Sequence, residues 1–299
     1  MQNKIVVIVG PTASDKTKTA IELAKKIYGE IISSDSMQVY KNMPVLTQSP
    51  SKKDIGEVPH YLIAEISPEE EYSAAEFSKR AELAISDIIK KGKIPIIVGG
   101  TGLYVKALID GLFPSPKKDV HLRKRLELSA KKMGTAHLHN KLKRIDPESA
   151  GKIHPNDKKR IIRALEIYHL TKTVISEHKK KTKGISGKYE IMELGLTMPR
   201  EDLYEKINRR VEEMFRCGVI SEVKGLTKFN LSITAGSAIG INEIRDFLEG
   251  KRSLEETKEL IKKNTRRYAK RQITWFRADE RIKWFEDGKS LIDYCRSWI

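Results

Sequence analysis

Residues 4–20 read KIVVIVGPTASDKTKTA, and the change of pattern at Gly10 decides the fold. Up to Val9 the run is apolar and β-branched without a break, the pattern of a strand buried on both faces in a parallel sheet. From Lys16 the apolar positions Ala20, Leu23, Ala24 and Ile27 recur at helical spacing, so a helix follows the turn. Gly10, Lys16 and Thr17 satisfy G-x-x-x-x-G-K-[ST] at all but one position, in the strand-to-helix context that a phosphate-binding loop requires. In such a loop the backbone amides and the helix N-terminus hold phosphate oxygens, the lysine neutralises them, and the threonine hydroxyl can ligate magnesium. An ordinary strand-to-helix turn with Ser14 or Asp15 as N-cap is the alternative. Asp15 occupies the place of the second glycine. A Cβ disfavours positive φ and a carboxylate repels phosphate, so the expectation is weakened anion binding.

Outward from this loop the chain continues as an α/β protein. "EIIS" at 30–33 reads as a second strand ending near Asp35. Ser73 with Glu76 forms a capping box ahead of a helix whose face is Phe77, Ala81, Ala84, Ile85 and Ile88. "IPIIVGGTG" at 94–102 is another buried strand turning through glycines into a helix. After the Pro-rich connection "PSPKKD" at 114–119 the pattern is helical up to about residue 182. "YEIMELGLTM" at 189–198 then resumes the core sheet. The expected organisation is a first core part at 1–115, a helical insertion at 116–196, and a core continuation with C-terminal helices at 197–299.

Fifty-seven Lys and Arg against 40 Asp and Glu leave a formal charge of +17, which favours a polyanionic partner. The charge is unevenly placed. In "IKKNTRRYAKRQITWF" Lys262, Arg266 and Lys270 repeat every four residues beside Lys263, Arg267 and Arg271, giving a cationic helix face with no acid between Glu259 and Asp279. "HPNDKKRIIRALEIY" starts a helix at Asn156 and Asp157 and brings Lys159, Arg160 and Arg163 together, either as a nucleic-acid contact or as a basic solvent face. Two cysteines, Cys217 and Cys295, support neither a disulfide framework nor a Cys-rich zinc site. No segment reaches the ~20 apolar residues of a membrane span, so a cytoplasmic protein is expected.

Taken together, "EIISSDSMQVY", "PHYLI", "YSAAEF", "PIIVGGTGLYVKALIDGL", "HPNDKKRIIRALEIY", "LTMPREDLYEKINRRVEEM" and "AKRQITWFR" resemble the bacterial tRNA dimethylallyltransferase family over nearly the whole chain. The resemblance implies a P-loop NTPase-like parallel-sheet core, an inserted all-helical RNA-binding domain and a helical C-terminus. It implies prenyl transfer from dimethylallyl diphosphate to the exocyclic amine of adenosine 37, beside the anticodon, with magnesium as cofactor and release of diphosphate. By that likeness Asp35 is the general base, with Thr101 the second catalytic residue. Gly10, Pro11, Thr12, Ala13, Ser14, Asp15, Lys16, Thr17 and Arg210 would hold the diphosphate, Thr17 also carrying the magnesium. Ser36, Met37 and Gln38 would join Asp35 and Thr101 around a flipped adenine. Arg123, Lys159, Arg160, Ile161, Ile162 and Arg163 match positions that grip the tRNA anticodon arm. The resemblance is to a monomeric enzyme with no membrane partner. Pro44, Leu46 and Ser49 depart from the family pattern, as do Asp15 and Ile241. A catalytically weak tRNA-binding relative impaired by Asp15, an isopentenyltransferase acting on free adenine nucleotides, and a P-loop kinase are the competing readings.

Overall fold

β1 (Lys4–Val9) forms the middle of a six-stranded, all-parallel sheet with β2 (Gly29–Ser33), β3 (His60–Tyr61), β4 (Ile94–Gly99), β5 (Glu190–Leu196) and β6 (Lys283–Phe285). The computed structural model describes residues 4–113, 116, 119–180 and 182–299. Strand order is β3-β2-β4-β1-β5-β6, with Val9 beside Gly99 on one flank and beside Gly195 on the other. Alternation along β1 assigns Ile5, Val7 and Val9 to one core layer and Val6 and Ile8 to the other. Both faces are covered, which is why the run reads as continuously apolar. Each such side chain, fully buried, contributes about 2 kcal/mol.

The chain divides into two compact units, Met1–Ile109 with Ile185–Ile299, and Asp110–Gly184. In the first unit α1 (Lys16–Ile27), α2 (Pro44–Thr47), α3 (Lys52–Glu57), α4 (Ala74–Lys90) and α5 (Gly102–Ile109) accompany the early strands. α1 packs Ala20, Leu23, Ala24 and Ile27 on one face of the sheet, and α4 packs Phe77, Ala81, Ala84, Ile85 and Ile88 on the other. Half of the capping box expected at Ser73 forms: its hydroxyl accepts from Glu76 N at 3.2 Å. Glu76 itself turns to Arg80 Nε, 2.8 Å away, a stronger charged partner than a backbone amide.

The second unit holds α6 (Val120–Met133), α7 (Thr135–Ile145), α8 (Pro147–Lys152), α9 (Lys158–Thr171) and α10 (Ile175–Lys180). Leu122, Leu126, Leu138, Leu142, Ile161, Ile162 and Leu165 form its core. The expected insertion limits of 116 and 196 are corrected to 110 and 184, because Glu190–Leu196 is committed to the sheet by pairing with Lys4–Val9. Most of the Pro-rich connection at 114–119 lies outside the described residues.

The first unit is completed by α11 (Arg200–Arg216), α12 (Val219–Gly225), α13 (Ile241–Leu248), α14 (Leu254–Arg277) and α15 (Gly288–Trp298). β3 and β6 were not anticipated from sequence. At two and three residues they are too short for a period of two to register.

One acid organises the second unit. Glu166, with 0% of its side chain exposed, accepts from Arg123 Nε and Asp119 N on one oxygen and from Arg123 and Arg163 on the other, at 2.5–2.9 Å. Burial opposes its ionisation, but the Arg123 and Arg163 bonds outweigh burial and hold the carboxyl at about 2, against 4.5 ordinarily. A folded-state value below the unfolded one gives stability that is complete above the unfolded value and fades as pH falls toward the folded value. Glu166→Gln is therefore expected to cost about 2–3 kcal/mol at pH 7. It should also remove part of the acid-induced loss of stability below pH 4.5, both read from thermal unfolding of the full chain across pH.

Candidate functional site

At the carboxyl end of the sheet the chain must turn without side chains. A Cβ on Gly10 would lie 2.2 Å from the Leu196 carbonyl oxygen, and one on Gly99 would lie 2.3 Å from Ser34 Oγ. Glycine at these points lets the turn after β1 close on the end of β5 and the end of β4 close on the turn after β2. Between them opens a cavity of about 490 Å³ lined by Thr12–Lys18, Asp35, Gln38, Gly99, Gly100, Arg210 and Gln272 among others.

The 10–17 loop wraps around its own lysine. Ala13 and Asp15 both adopt left-handed backbone, φ 65° and 61°, the conformation by which backbone N–H groups of a loop can form an anion-binding concavity. Ser14 Oγ donates to the Pro11 carbonyl at 2.9 Å, and Lys16 Nζ reaches the same carbonyl. Asp15 stands at the N-cap of α1 but makes no capping bond with its side chain. Its carboxylate pairs with Lys206 of α11. The glycine-like conformation is thus kept by a residue type that tolerates it better than most.

Two cations share the cavity. Lys16, 8% exposed, is pushed down to about 7 by burial and then by the charge of Arg210, with Asp35 and Asp15 opposing. Burial also lowers Arg210, against the same two carboxylates. Asp35 follows β2; its Oδ1 accepts from Met37 N at 2.8 Å, which orients the carboxylate in a tight turn. Gln38 faces the cavity, held by Ser33 Oγ at 2.9 Å and by its own bond to the Gln48 carbonyl at 3.2 Å. Thr101 lies beside Ser36, whose backbone N–H donates to Thr101 Oγ1 at 3.1 Å. Met37 instead packs against the core.

Three residues on α14 complete the site, and spacing alone did not single them out. Gln272 accepts from Thr12 N at 2.8 Å and donates to the Gly100 carbonyl at 2.9 Å, joining the two glycine turns. The Tyr268 hydroxyl, near Thr101, Gln272 and Asp35, is pushed up to about 12 by burial and then by the charge of Asp35. Trp275 lies where a Cβ on Gly102 would meet its ring at 2.1 Å. A polar or aromatic residue on the sheet-facing side of an otherwise cationic helix was the available signal.

The basic residues fall less simply than their spacing suggests. Lys262 pairs with Glu212 of α11 at 2.7 Å and with Glu259, and Arg266 donates to Asn208. The wholly cationic face is therefore corrected: Glu212 of a neighbouring helix and Glu259 of α14 itself both pair with Lys262. Lys263, Arg267, Lys270 and Arg271 stay exposed. In the second unit Lys159 and Arg160 are exposed, whereas Arg123 and Arg163 hold Glu166. Ile161 and Ile162 are in that unit's core at 0% and 5% exposure, so direct RNA contact by their side chains is corrected to a packing role. Around the departures at 44–49, Glu222 accepts from Val45 N and Leu46 N at 2.9 and 2.7 Å, stabilising α2 where Pro44 begins it. Leu46 is seated over Gly240, where a Cβ would come within 2.7 Å, and Ile241 is fully buried.

Among the described residues no group of three or more His, Cys, Asp or Glu is placed to hold a metal, and no helix is long and apolar enough to cross a membrane. Thr17, Asp15 and Asp35 are among the residues that line the cavity. This donor set suits magnesium that takes most of its ligands from phosphate and water.

The model of the IPP transferase family matches residues 38–279. The chain is 48% identical to the tRNA dimethylallyltransferase of Acetivibrio thermocellus, over 99% of this chain and 97% of that protein. Among solved structures it is similar to the tRNA isopentenylpyrophosphate transferase of Bacillus halodurans, at 41% identity and TM-score 0.72, covering 99% and 95% of the two chains. It is also similar to a eukaryotic dimethylallyltransferase acting on tRNA, at 34% identity and TM-score 0.76, covering 92% of this chain and 70% of that one.

A cation held near 7 makes anion binding dependent on pH in a definite direction. A bound anion stabilises charged Lys16, so binding takes up a proton above pH 7 and weakens as pH rises. Calorimetry with inorganic pyrophosphate at pH 8, in two buffers of different ionisation enthalpy, should give a proton uptake that exceeds that of Lys16→Met by nearly one.

Proposed function

The chain belongs to the IPP transferase family, and from that premise we propose how its residues carry a dimethylallyl group onto tRNA. The transferase moves that group to an adenosine of tRNA. The donor is dimethylallyl diphosphate, and the acceptor is the exocyclic amine of adenosine 37. The observation that carries this reading is that two buried cations, Lys16 and Arg210, line one cavity with Asp35, both lowered by burial and Lys16 also by the charge of Arg210. Cations held in a buried site gain most from a ligand carrying several negative charges.

The diphosphate lies on the 10–17 loop, where backbone N–H groups, Lys16 and Arg210 stabilise the negative charge that grows as the allylic C–O bond breaks. The amine nitrogen attacks the allylic carbon, and the electron pair of the broken bond departs with diphosphate. Asp35 accepts the amine proton. Its carboxylate is aimed by the Met37 amide and is therefore positioned before substrate arrives. Thr101 and Ser36 hold each other beside it, and Gln38 offers an amide edge to the base. Magnesium, when bound with the donor through Thr17, neutralises diphosphate charge. No water needs activating, which accounts for a site with one acid on the β2 turn and only glycines and Thr101 after β4.

Exposed Lys159 and Arg160 on the second unit, and Lys263, Arg267, Lys270 and Arg271 on α14, support contacts with the RNA backbone. The pairing of Asp15 with Lys206 weighs against a catalytically weak relative.

The test is to incubate the protein with dimethylallyl diphosphate, magnesium and unmodified tRNA and to detect prenylated adenosine by mass. Asp35→Asn is expected to lower the rate at least about a hundredfold while tRNA binding persists. Retained tRNA binding with no product from the unsubstituted protein would overturn the assignment of donor and base.

A further inference from the structure

An aspartate in the phosphate loop needs an explanation beyond tolerance of its backbone angles. α11 supplies it. Ile207 packs in a small apolar cluster with Leu203 and Ala269, against which Ala13 of the loop rests, so this helix is fixed against the loop by contacts independent of charge. The residues flanking that anchor, Lys206 and Arg210, are four apart and therefore lie on one helix face. Their heads do different work. Arg210 lines the cavity, whereas Lys206 pairs with the Asp15 carboxylate and is not part of the cavity wall.

We propose that Lys206 is a positioning residue for the donor that acts through Asp15, cancelling a negative charge at the rim of the diphosphate site without touching the diphosphate. The inference rests on the reading of the 10–17 loop as the donor site. The Asp15 carboxylate lines the cavity and its field acts on both Lys16 and Arg210. Left unpartnered, it would face the incoming diphosphate as a like charge across a few ångströms of partly dry space. The pair itself is half exposed, 32% for Lys206 and 54% for Asp15, so its value to stability is small. Its consequence is local, in the potential that the ligand meets. A glycine loop would need no such partner; this chain couples an acid in the loop to a base on α11.

The coupling makes a double-mutant cycle decisive, with inorganic pyrophosphate and magnesium as the probe and titration calorimetry as the readout. Lys206→Met should weaken pyrophosphate binding about tenfold, and raise KM for dimethylallyl diphosphate by a similar factor with kcat and tRNA binding unchanged. Lys206→Arg should bind as the unsubstituted protein does. Asp15→Asn keeps the shape and the left-handed tolerance but removes the charge. In that background Lys206→Met should change binding by less than about twofold. Thermal unfolding of each variant separates this from loss of fold. An equal loss in both backgrounds would mean that Lys206 meets the phosphate directly, and no loss in either would mean that Asp15 needs no partner; each overturns the proposal while leaving the donor site in place. Failure of the folded, unsubstituted protein to bind pyrophosphate would overturn the donor-site reading and this inference with it.

Discussion

One buried amide ties the catalytic end of the sheet together. Gln272, 5% exposed, bonds the backbone on both sides of the cavity, at Thr12 N and at the Gly100 carbonyl. On the β4 side the approach needs glycine, because a Cβ on Gly100 would come within 2.1 Å of the glutamine nitrogen. A long C-terminal helix is thereby fastened to two loops that belong to the first hundred residues. Backbone groups that would otherwise be buried unpaired are satisfied by the same side chain.

Once those turns are fixed, the electrostatics of the cavity follow. Lys16 cannot leave its loop, Arg210 is set by the packing of α11, and Asp35 is oriented by its own following amide. Like charges are held together and opposite charges only partly offset them, so the site is disposed toward a polyanion. Such preorganisation lowers the reorganisation that binding and reaction would otherwise require. The second unit uses the opposite arrangement: Glu166 gathers Arg123 and Arg163 into a satisfied, buried network that serves its own fold.

Much of this was legible in the chain. β1, β2, β4 and β5 announced themselves through apolar runs, and α1 and α4 through helical spacing, because burial imposes a period on any element long enough to express it. The loop was legible despite Asp15, since Gly10, Lys16 and Thr17 stood between a strand and a helix. Asp35 was visible at a strand end. Less legible were the partners. The cationic pattern of α14 gave no sign that Glu212 would meet Lys262, and the basic spacing in α9 did not separate Lys159 and Arg160, which face solvent, from Arg163, which turns to Glu166. Ile161 and Ile162 sat inside a basic motif yet belong to a core.

By itself the sequence determined the α/β alternation, the phosphate loop and the acid just after the next strand, because each is specified by residues near one another along the chain. Tertiary structure alone decided which charges are free to act. Lys206 and Asp15 are 191 positions apart, and Gln272 and Thr12 are 260 apart. Whether such residues meet depends on helix position and rotation, set by packing at sites such as Ile207 against Ala13. Local spacing therefore encodes the chemical groups of the site, while long-range packing assigns each of them a partner and, through it, a role.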